Sequence, residues 1–382
     1  MQELYIDNPT ALRGLCDRLQ GCRRIALDTE FVREKTYYAQ FCLLQLATDD
    51  LLACVDPLAL PDLEPLLAIL YREDILKIMH SGHQDLELFF DLRGQLPKPV
   101  FDTQITAALL GHGDQVGYAN LVASLTGVTL DKTHTRADWS RRPLEPQQIE
   151  YALDDVRYLI PMYDALHASL QALGREDWLR EDFAELCDER RYRRDDDSIW
   201  RRLKGVQHLR GRQLAVARAV AVWREHTAQA QDKPRKWLLG DDIILDIARL
   251  IPQDLAKLGR IRGISEAVVR HHGIQILELI RQAAALPKEQ WPQLPRIAHL
   301  PEEQEPLVDV LMAVARVCAM KHRISINALV SRKEIEQVIS GDREAQVLHG
   351  WRRELLGNEL LAMLQGERAL RVEGAAVCVD VL

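Results

Sequence analysis

A mixed sheet flanked by helices, followed by two small all-α domains, is the architecture this 382-residue sequence predicts. Three observations lead there. Short, β-branched apolar runs alternate with helical apolar spacing as far as Leu170. Strand signals fade after Gly174, and Pro287, Pro292, Pro295 and Pro301 punctuate the helical remainder of the chain.

In the first part, Ile25-Ala26-Leu27, Phe41 to Ala47, Leu51 to Val55 and Ile75 to Met79 read as strands. Helical spacing covers Leu63 to Leu70, Leu86 to Phe90, Ile105 to Leu110, and Ile149 to Leu170 as one long amphipathic helix. The first three strands follow closely, as in an antiparallel meander. Later ones are separated by helices, as in a layered α/β sheet. This domain is expected over 1–174.

Residues 175–196 form a charged linker whose Arg190, Arg191, Arg193 and Arg194 run into Asp195 and Asp196, and on into Asp197 at the start of the next domain. Such a run is either a solvated segment or a basic strip along which phosphates lie. The first helical domain, 197–285, carries Leu214, Ala217, Val220, Ala221 and Trp223 on one face, then a loop at Lys233 to Trp237, then a helix opened by Asp241-Asp242. A Pro-rich linker at 286–302 precedes the second, 303–382, which ends in a C-terminal tail. There Leu307, Val310, Leu311, Val314 and Ala315 share a face, and Ser331 opens a helix through Ile335.

The bulk numbers narrow the function class. Against 57 acidic side chains stand 49 basic ones, a formal charge of −8. That argues against a protein that coats nucleic acid, though not against an enzyme gripping one strand end. The seven cysteines form no CxxC pair and no Cys/His cluster, so no zinc site is expected, and an odd count suits a reducing compartment. The N-terminus has no basic region leading into an apolar run, and the apolar stretch Leu311 to Met320 is broken by Arg316. A cytoplasmic protein without signal peptide or membrane span is expected.

Three constellations carry candidate chemistry. Asp28-Thr29-Glu30 ends an apolar strand, and residues two apart share a face, so both carboxylates can reach one cation; acid-x-acid at a strand end is equally a mundane surface feature. Asp85 lies in His80-Ser81-Gly82-His83-Gln84-Asp85-Leu86, where Gly82 permits a turn into a helix; a metal ligand and a simple helix cap both fit. Tyr151 and Asp155 stand one helical turn apart on one side, with Asp154 pointing elsewhere. That pair could also be a core-edge hydrogen bond.

Taken in order, these motifs resemble the DEDD exonuclease superfamily, in its tyrosine-bearing branch; the histidine-bearing branch would have His where Glu150 stands. Asp28-Thr29-Glu30-Phe31, His80 to Leu86, Asp102-Thr103-Gln104, Gly127 to Lys132 and Tyr151 to Val156 are similar to the ribonuclease D family. The two helical units resemble the helicase-and-ribonuclease-D C-terminal (HRDC) domain, which that family carries twice; the second matches more loosely. The resemblance spans nearly the whole chain. It implies a ribonuclease-H-like fold and a 3′→5′ exoribonuclease acting on RNA, with transfer RNA precursor 3′ ends as substrate.

The same resemblance implies Asp28, Glu30, Asp85 and Asp155 as ligands of two divalent cations, with Asp28 bridging both and Tyr151 orienting the attacking water. Four carboxylates suit hard cations, Mg²⁺ or Mn²⁺, and no zinc or organic cofactor is expected. A free Tyr has a pKa of about 10, so positioning suits Tyr151 better than base catalysis. The implied products are nucleoside 5′-monophosphates.

Other residues stay ambiguous. His80 and His83 fit structural hydrogen bonders, and Asp102 an N-cap. Lys132, Arg136, Arg141 and Arg142 could meet phosphate; Trp139 could stack a base or anchor its loop. Lys204, Arg210, Arg212, Lys233, Arg235 and Lys236 form either an RNA-facing surface or a solvated one. No obligate protein partner is expected, and a monomer is. A repair-type DNA exonuclease and a catalytically inert nucleic-acid-binding adaptor are the competing functions.

Overall fold

The computed structural model describes residues 1–130, 137–294 and 300–382. They form two compact units. Residues 1–30, 41–189 and those from 300 onward make the first; residues 31–40 and 190–294 make the second.

In the first unit, β1 (Gln2–Ile6), β2 (Arg24–Val32), β3 (Gln40–Ala47), β4 (Leu51–Val55), β5 (Leu76–Met79) and β6 (Val100–Asp102) build one sheet in the order β1-β4-β3-β2-β5-β6. β1 is parallel to β4, β3 antiparallel to β4, and β5 parallel to both β2 and β6. The sheet is therefore mixed, as expected. β4 is buried along its length and β3 from Phe41 onward, which explains continuous apolar runs in place of alternation.

Flanking helices are α1 (Pro9–Leu19), α2 (Glu64–Leu70), α3 (His83–Arg93), α4 (Thr103–Leu109), α5 (Tyr118–Thr126), α6 (Pro146–Arg157), α7 (Leu159–Leu173) and α8 (Leu179–Leu186). α6 packs on β4 and α7 on β5. The single helix expected from Ile149 to Leu170 is instead two, divided at Tyr158. Pro161 has no N–H to offer the Arg157 carbonyl, so the ladder must break one turn earlier. At the division the Tyr158 N–H reaches the Val156 carbonyl and the Tyr118 hydroxyl, the latter at 3.3 Å. Within the stretch expected to be a linker, Arg175, Leu179 and Leu186 are buried; charge density there hides a packed helix.

The C-terminal helices α15 (Glu305–His322), α16 (Ile326–Leu329), α17 (Arg332–Ile339), α18 (Gly350–Arg352) and α19 (Asn358–Leu364) belong to the same unit. The last carbonyls of α4, which lack partners inside their helix, find them here. Ser325 N–H donates to Ala108 O at 2.9 Å, and Arg175 spans from Leu109 O at 3.0 Å to His322 O at 2.7 Å. Gly111 fits because a Cβ there would lie 2.6 Å from the Arg323 carbonyl. Trp178 and Trp351 stack at 4.6 Å. Ser331 caps α17 as expected, in a reciprocal box with Glu334. The C-terminal tail of the domain expected to be all-α pairs β7 (Arg368–Glu373) with β8 (Ala376–Val381) in an antiparallel hairpin. Gly374, at φ +60°, supplies its two-residue turn.

The second unit comprises α9 (Asp196–Ile199), α10 (Arg212–Ala230), α11 (Arg235–Leu238), α12 (Asp241–Leu250), α13 (Leu255–Gly259) and α14 (Glu266–Ala284) around Trp200, Val216, Val220, Ile244 and Ile276. Asp241 does not cap α12; it takes a 2.8 Å ion pair from the buried Arg224. The segment 31–40, which leaves β2, is knotted into this unit. Tyr37 is buried with Ala228 and Leu238, and its hydroxyl donates to Glu225. Asp232 accepts the Tyr37 and Tyr38 backbone N–H groups at 3.0 Å each.

Candidate active site

Along β2 burial alternates around the first motif. Thr29 is buried while Asp28 and Glu30 stay partly exposed on the other side of the strand. The expected sharing of one face holds.

Asp85 reaches the same place through the turn that starts α3. Ser81, not Gly82, takes the left-handed backbone there (φ +57°). Gly82 is required for space: a Cβ would sit 2.9 Å from the Met79 side chain. Asp102 holds this turn. Its carboxylate accepts Gln104 N–H (2.8 Å) and Ile105 N–H (3.2 Å), capping α4 as expected, and also Ser81 N–H (3.2 Å) and Gly82 N–H (2.8 Å). One side chain thereby fixes the start of two helices, including the one that carries Asp85. His80 is the structural hydrogen bonder expected, 2.9 Å from the Thr103 hydroxyl and 3.0 Å from the Val116 carbonyl.

On α6, Asp155 lies beside Tyr151, whose hydroxyl donates to it. Asp154 turns away and pairs with Arg157 at 2.7 Å. Trp139 is 4% exposed and packs 6.2 Å from the Tyr151 ring, so it anchors its loop and has no face free to stack a base.

Electrostatics show that the acids converge. Burial, then the charges of Asp85, Asp155 and Glu30, drive the Asp28 carboxyl well above the carboxylate range. Burial and then Asp155 and Asp85 push Glu30 up to about 8. Burial and Asp154 bring Asp155 to about 7, against the lowering effect of Tyr151. Asp85 rises to about 6 through burial, although the Thr29 hydroxyl hydrogen-bonds it and pulls the other way. The Tyr151 phenol is raised by burial and by the neighbouring Asp155, Glu30 and Asp28.

The donor set is all oxygen with four potential negative charges, which fits hard divalent cations. Among the described residues no three His, Cys, Asp or Glu side chains stand at ligand spacing. Two of the acids are instead held by hydroxyls, Asp85 by Thr29 and Asp155 by Tyr151.

The expected nucleic-acid contacts divide. Lys132 and Arg136 lie outside the described residues. Arg141 is exposed. Arg142 is committed to Asp56 and to the carbonyls of Cys42, Trp139 and Arg141. Lys233 and Lys236 are exposed, whereas Arg235 is engaged by the buried Glu225 and lies 4.7 Å over the Tyr37 ring. Sequence reasoning missed Thr29 and Asp56: a residue inside the acid motif and an acid far from it gave no periodic or spacing signal.

The mixed sheet, with the β2 end and the two neighbouring helices that gather acids and a tyrosine, lies within a 3′–5′ exonuclease domain. Residues 4–171 match the 3′-5′ exonuclease family and residues 213–280 the HRDC domain. Ribonuclease D of Gluconacetobacter diazotrophicus is 40% identical over 369 residues, covering 96% of this chain and 94% of that protein. Ribonuclease D of Escherichia coli K12 is 36% identical over 377 residues, covering 96% and 99%. The crystal structure of Escherichia coli RNase D, an exoribonuclease involved in structured RNA processing, superposes with a TM-score of 0.84 at 34% identity, over 96% of this chain and 99% of that one. The chain belongs to the ribonuclease D family and is a 3′–5′ exoribonuclease. Among the described residues no helix is long and apolar enough to cross a membrane.

Proposed function

We propose that this chain trims the 3′ ends of structured RNA, transfer RNA precursors in particular, and releases nucleoside 5′-monophosphates by two-metal-ion hydrolysis. The observation that carries this is that Asp85 and Asp155, on two helices, act electrostatically on Asp28 and Glu30 on β2, so that four acids from one strand and two helices meet. Mg²⁺ or Mn²⁺ ions bound there would supply an activated water and neutralise charge on the leaving 3′ oxygen.

Asp28, Glu30, Asp85 and Asp155 would hold the ions. Tyr151 donates its hydroxyl proton to Asp155 and, with its proton held more tightly than in free tyrosine, serves as a donor and not as a base. It orients the attacking water. Arg141, Lys204, Arg210, Arg212, Lys233 and Lys236, all exposed, are candidates for phosphate contact.

The experiment compares 5′-monophosphate release from a precursor with a 3′ extension, from unstructured RNA and from matched DNA, with Mg²⁺, Mn²⁺ or chelator. Asp28→Asn and Asp155→Ala should each lose roughly 10³-fold or more in rate, the scale of removing one electrostatic partner of the transition state, while folding and RNA binding persist. Near-normal turnover in either variant removes the site assignment. Equal cleavage of DNA removes the RNA preference.

A further inference from the structure

Gln45 is a polar residue within the buried strand β3, with 0% of its surface exposed, and neither its Nε2 nor its Oε1 has a hydrogen-bond partner. A buried amide left unpaired is destabilising where an apolar side chain of the same shape would not be, so its presence calls for a use.

The sheet register says where that amide lies. Gln45 is the partner of Cys54 across β3 and β4, so the two side chains leave the same face. Cys54 follows Leu52 by two residues, and Leu52 is the partner of Glu3 on β1. Glu3 meets Arg157 of α6 at 2.8 Å, so this is the face that α6 covers. β3 lies between β4 and β2, the strand of Asp28 and Glu30. Burial, then the charges of Glu3, Asp155 and Glu30, push the Cys54 thiol up to about 12. A charge on β2 that reaches a thiol on β4 acts across β3, where Gln45 stands.

The four acids differ in what holds them. Asp85 takes the Thr29 hydroxyl, Asp155 the Tyr151 hydroxyl and Asp28 the Thr29 backbone N–H. Among the described residues no hydrogen-bond donor engages the Glu30 carboxyl. A carboxyl without a donor and an amide without an acceptor therefore stand on one face of adjacent strands. The other polar side chains that β1 turns to this face are engaged, Glu3 by Arg157 and Tyr5 by Asp56. We infer that Gln45 is a positioning residue of the acid site, whose Nε2 donates to the Glu30 carboxylate when the acids are ionised around divalent cations. The inference rests on the metal-site reading proposed above. Donors behind a ligating carboxylate fix its orientation and typically change metal affinity by about 10–100-fold.

The test is calorimetric titration of the full chain with Mn²⁺ near pH 8.5, above the value of about 8 for Glu30, together with thermal melts in chelator and in Mn²⁺. Gln45→Met keeps the length of the side chain and removes both polar atoms; Gln45→Leu serves if that variant does not fold. In chelator the variant should melt no lower than the unaltered chain, because an unpaired amide has been taken out. Its Mn²⁺ affinity should fall about tenfold or more. In a Glu30→Gln background, read through the rise in melting temperature up to millimolar Mn²⁺, the same substitution should cost nothing further. Unchanged Mn²⁺ affinity overturns the inference. So does a lower melting temperature in chelator, which marks a packing role, or a second loss of affinity in the Glu30→Gln background. No Mn²⁺ uptake by the unaltered chain overturns the metal-site reading itself, and the inference with it.

Discussion

Arg142 grips Asp56 across 86 residues of sequence, with Nε 2.6 Å from Oδ2 and Nη2 2.7 Å from Oδ1. Asp56 is 1% exposed and also accepts the Tyr5 hydroxyl at 2.7 Å. A two-point pair with one buried member is a structural tie, and it removes Arg142 from the set of phosphate contacts. Arg142→Ala strands a buried carboxylate and should destabilise the protein by about 3 kcal/mol, with RNA affinity of the folded fraction unchanged. Chemical denaturation and a binding isotherm well below the melting temperature check the two halves. A selective loss of RNA affinity would return Arg142 to the substrate path.

The acid cluster makes stability depend on pH and metal together. Unfolded Asp and Glu titrate near about 4, and in the fold Asp85 titrates near 6, Asp155 near 7 and Glu30 near 8. The folded chain therefore holds these protons more tightly. Their stabilising contribution is complete below about pH 4 and is lost as pH climbs through those folded values. In chelator the melting temperature should fall between pH 5 and pH 8.5 from this cluster. Mn²⁺ should restore it, and more at pH 8.5, where ligands no longer exchange protons for metal. A metal-induced rise that is larger at pH 5 would contradict the assignment.

Thr29 sits between two candidate ligands and serves a third, since its buried hydroxyl donates to Asp85. Thr29→Val keeps the shape and removes that donor, so the Asp85 proton is held still more tightly. Mn²⁺ affinity should drop about tenfold near pH 6.5 and much less at pH 8.5. A pH-independent loss would point to a packing defect instead.

Glu225 is buried and accepts from Tyr37, Arg235 and Gln229. Glu225→Ala should cost about 2–3 kcal/mol in denaturant unfolding, and Glu225→Gln, which can still accept from Tyr37, less. An unchanged midpoint for the alanine variant would show the knot contributes nothing.

Periodicity and spacing made parts of the fold legible in the sequence. The buried strands β3 and β4 announced themselves as apolar runs, and Ser331 as a cap. β1 and β6 did not: one is half-exposed, the other three residues long. Pro161 lay within an otherwise continuous helical pattern and was overridden by it. The candidate site was legible where a motif put acids at fixed offsets, and illegible where tertiary contact alone matters, as for Thr29 and for Trp139, whose burial no local signal reveals.

The excursion of residues 31–40 bears on how this enzyme can be dissected. A fragment ending at Gly174 would keep Tyr37 and Tyr38 but leave behind Glu225, Asp232 and Arg235, stripping two backbone amides and a phenol of the partners they have here. It would also uncover the end of α4, whose Ala108 and Leu109 carbonyls rely on Ser325 and Arg175. Weak catalysis by such a truncation would therefore report a frayed β2 as readily as a lost RNA contact, and point substitutions on the intact chain are the cleaner instrument.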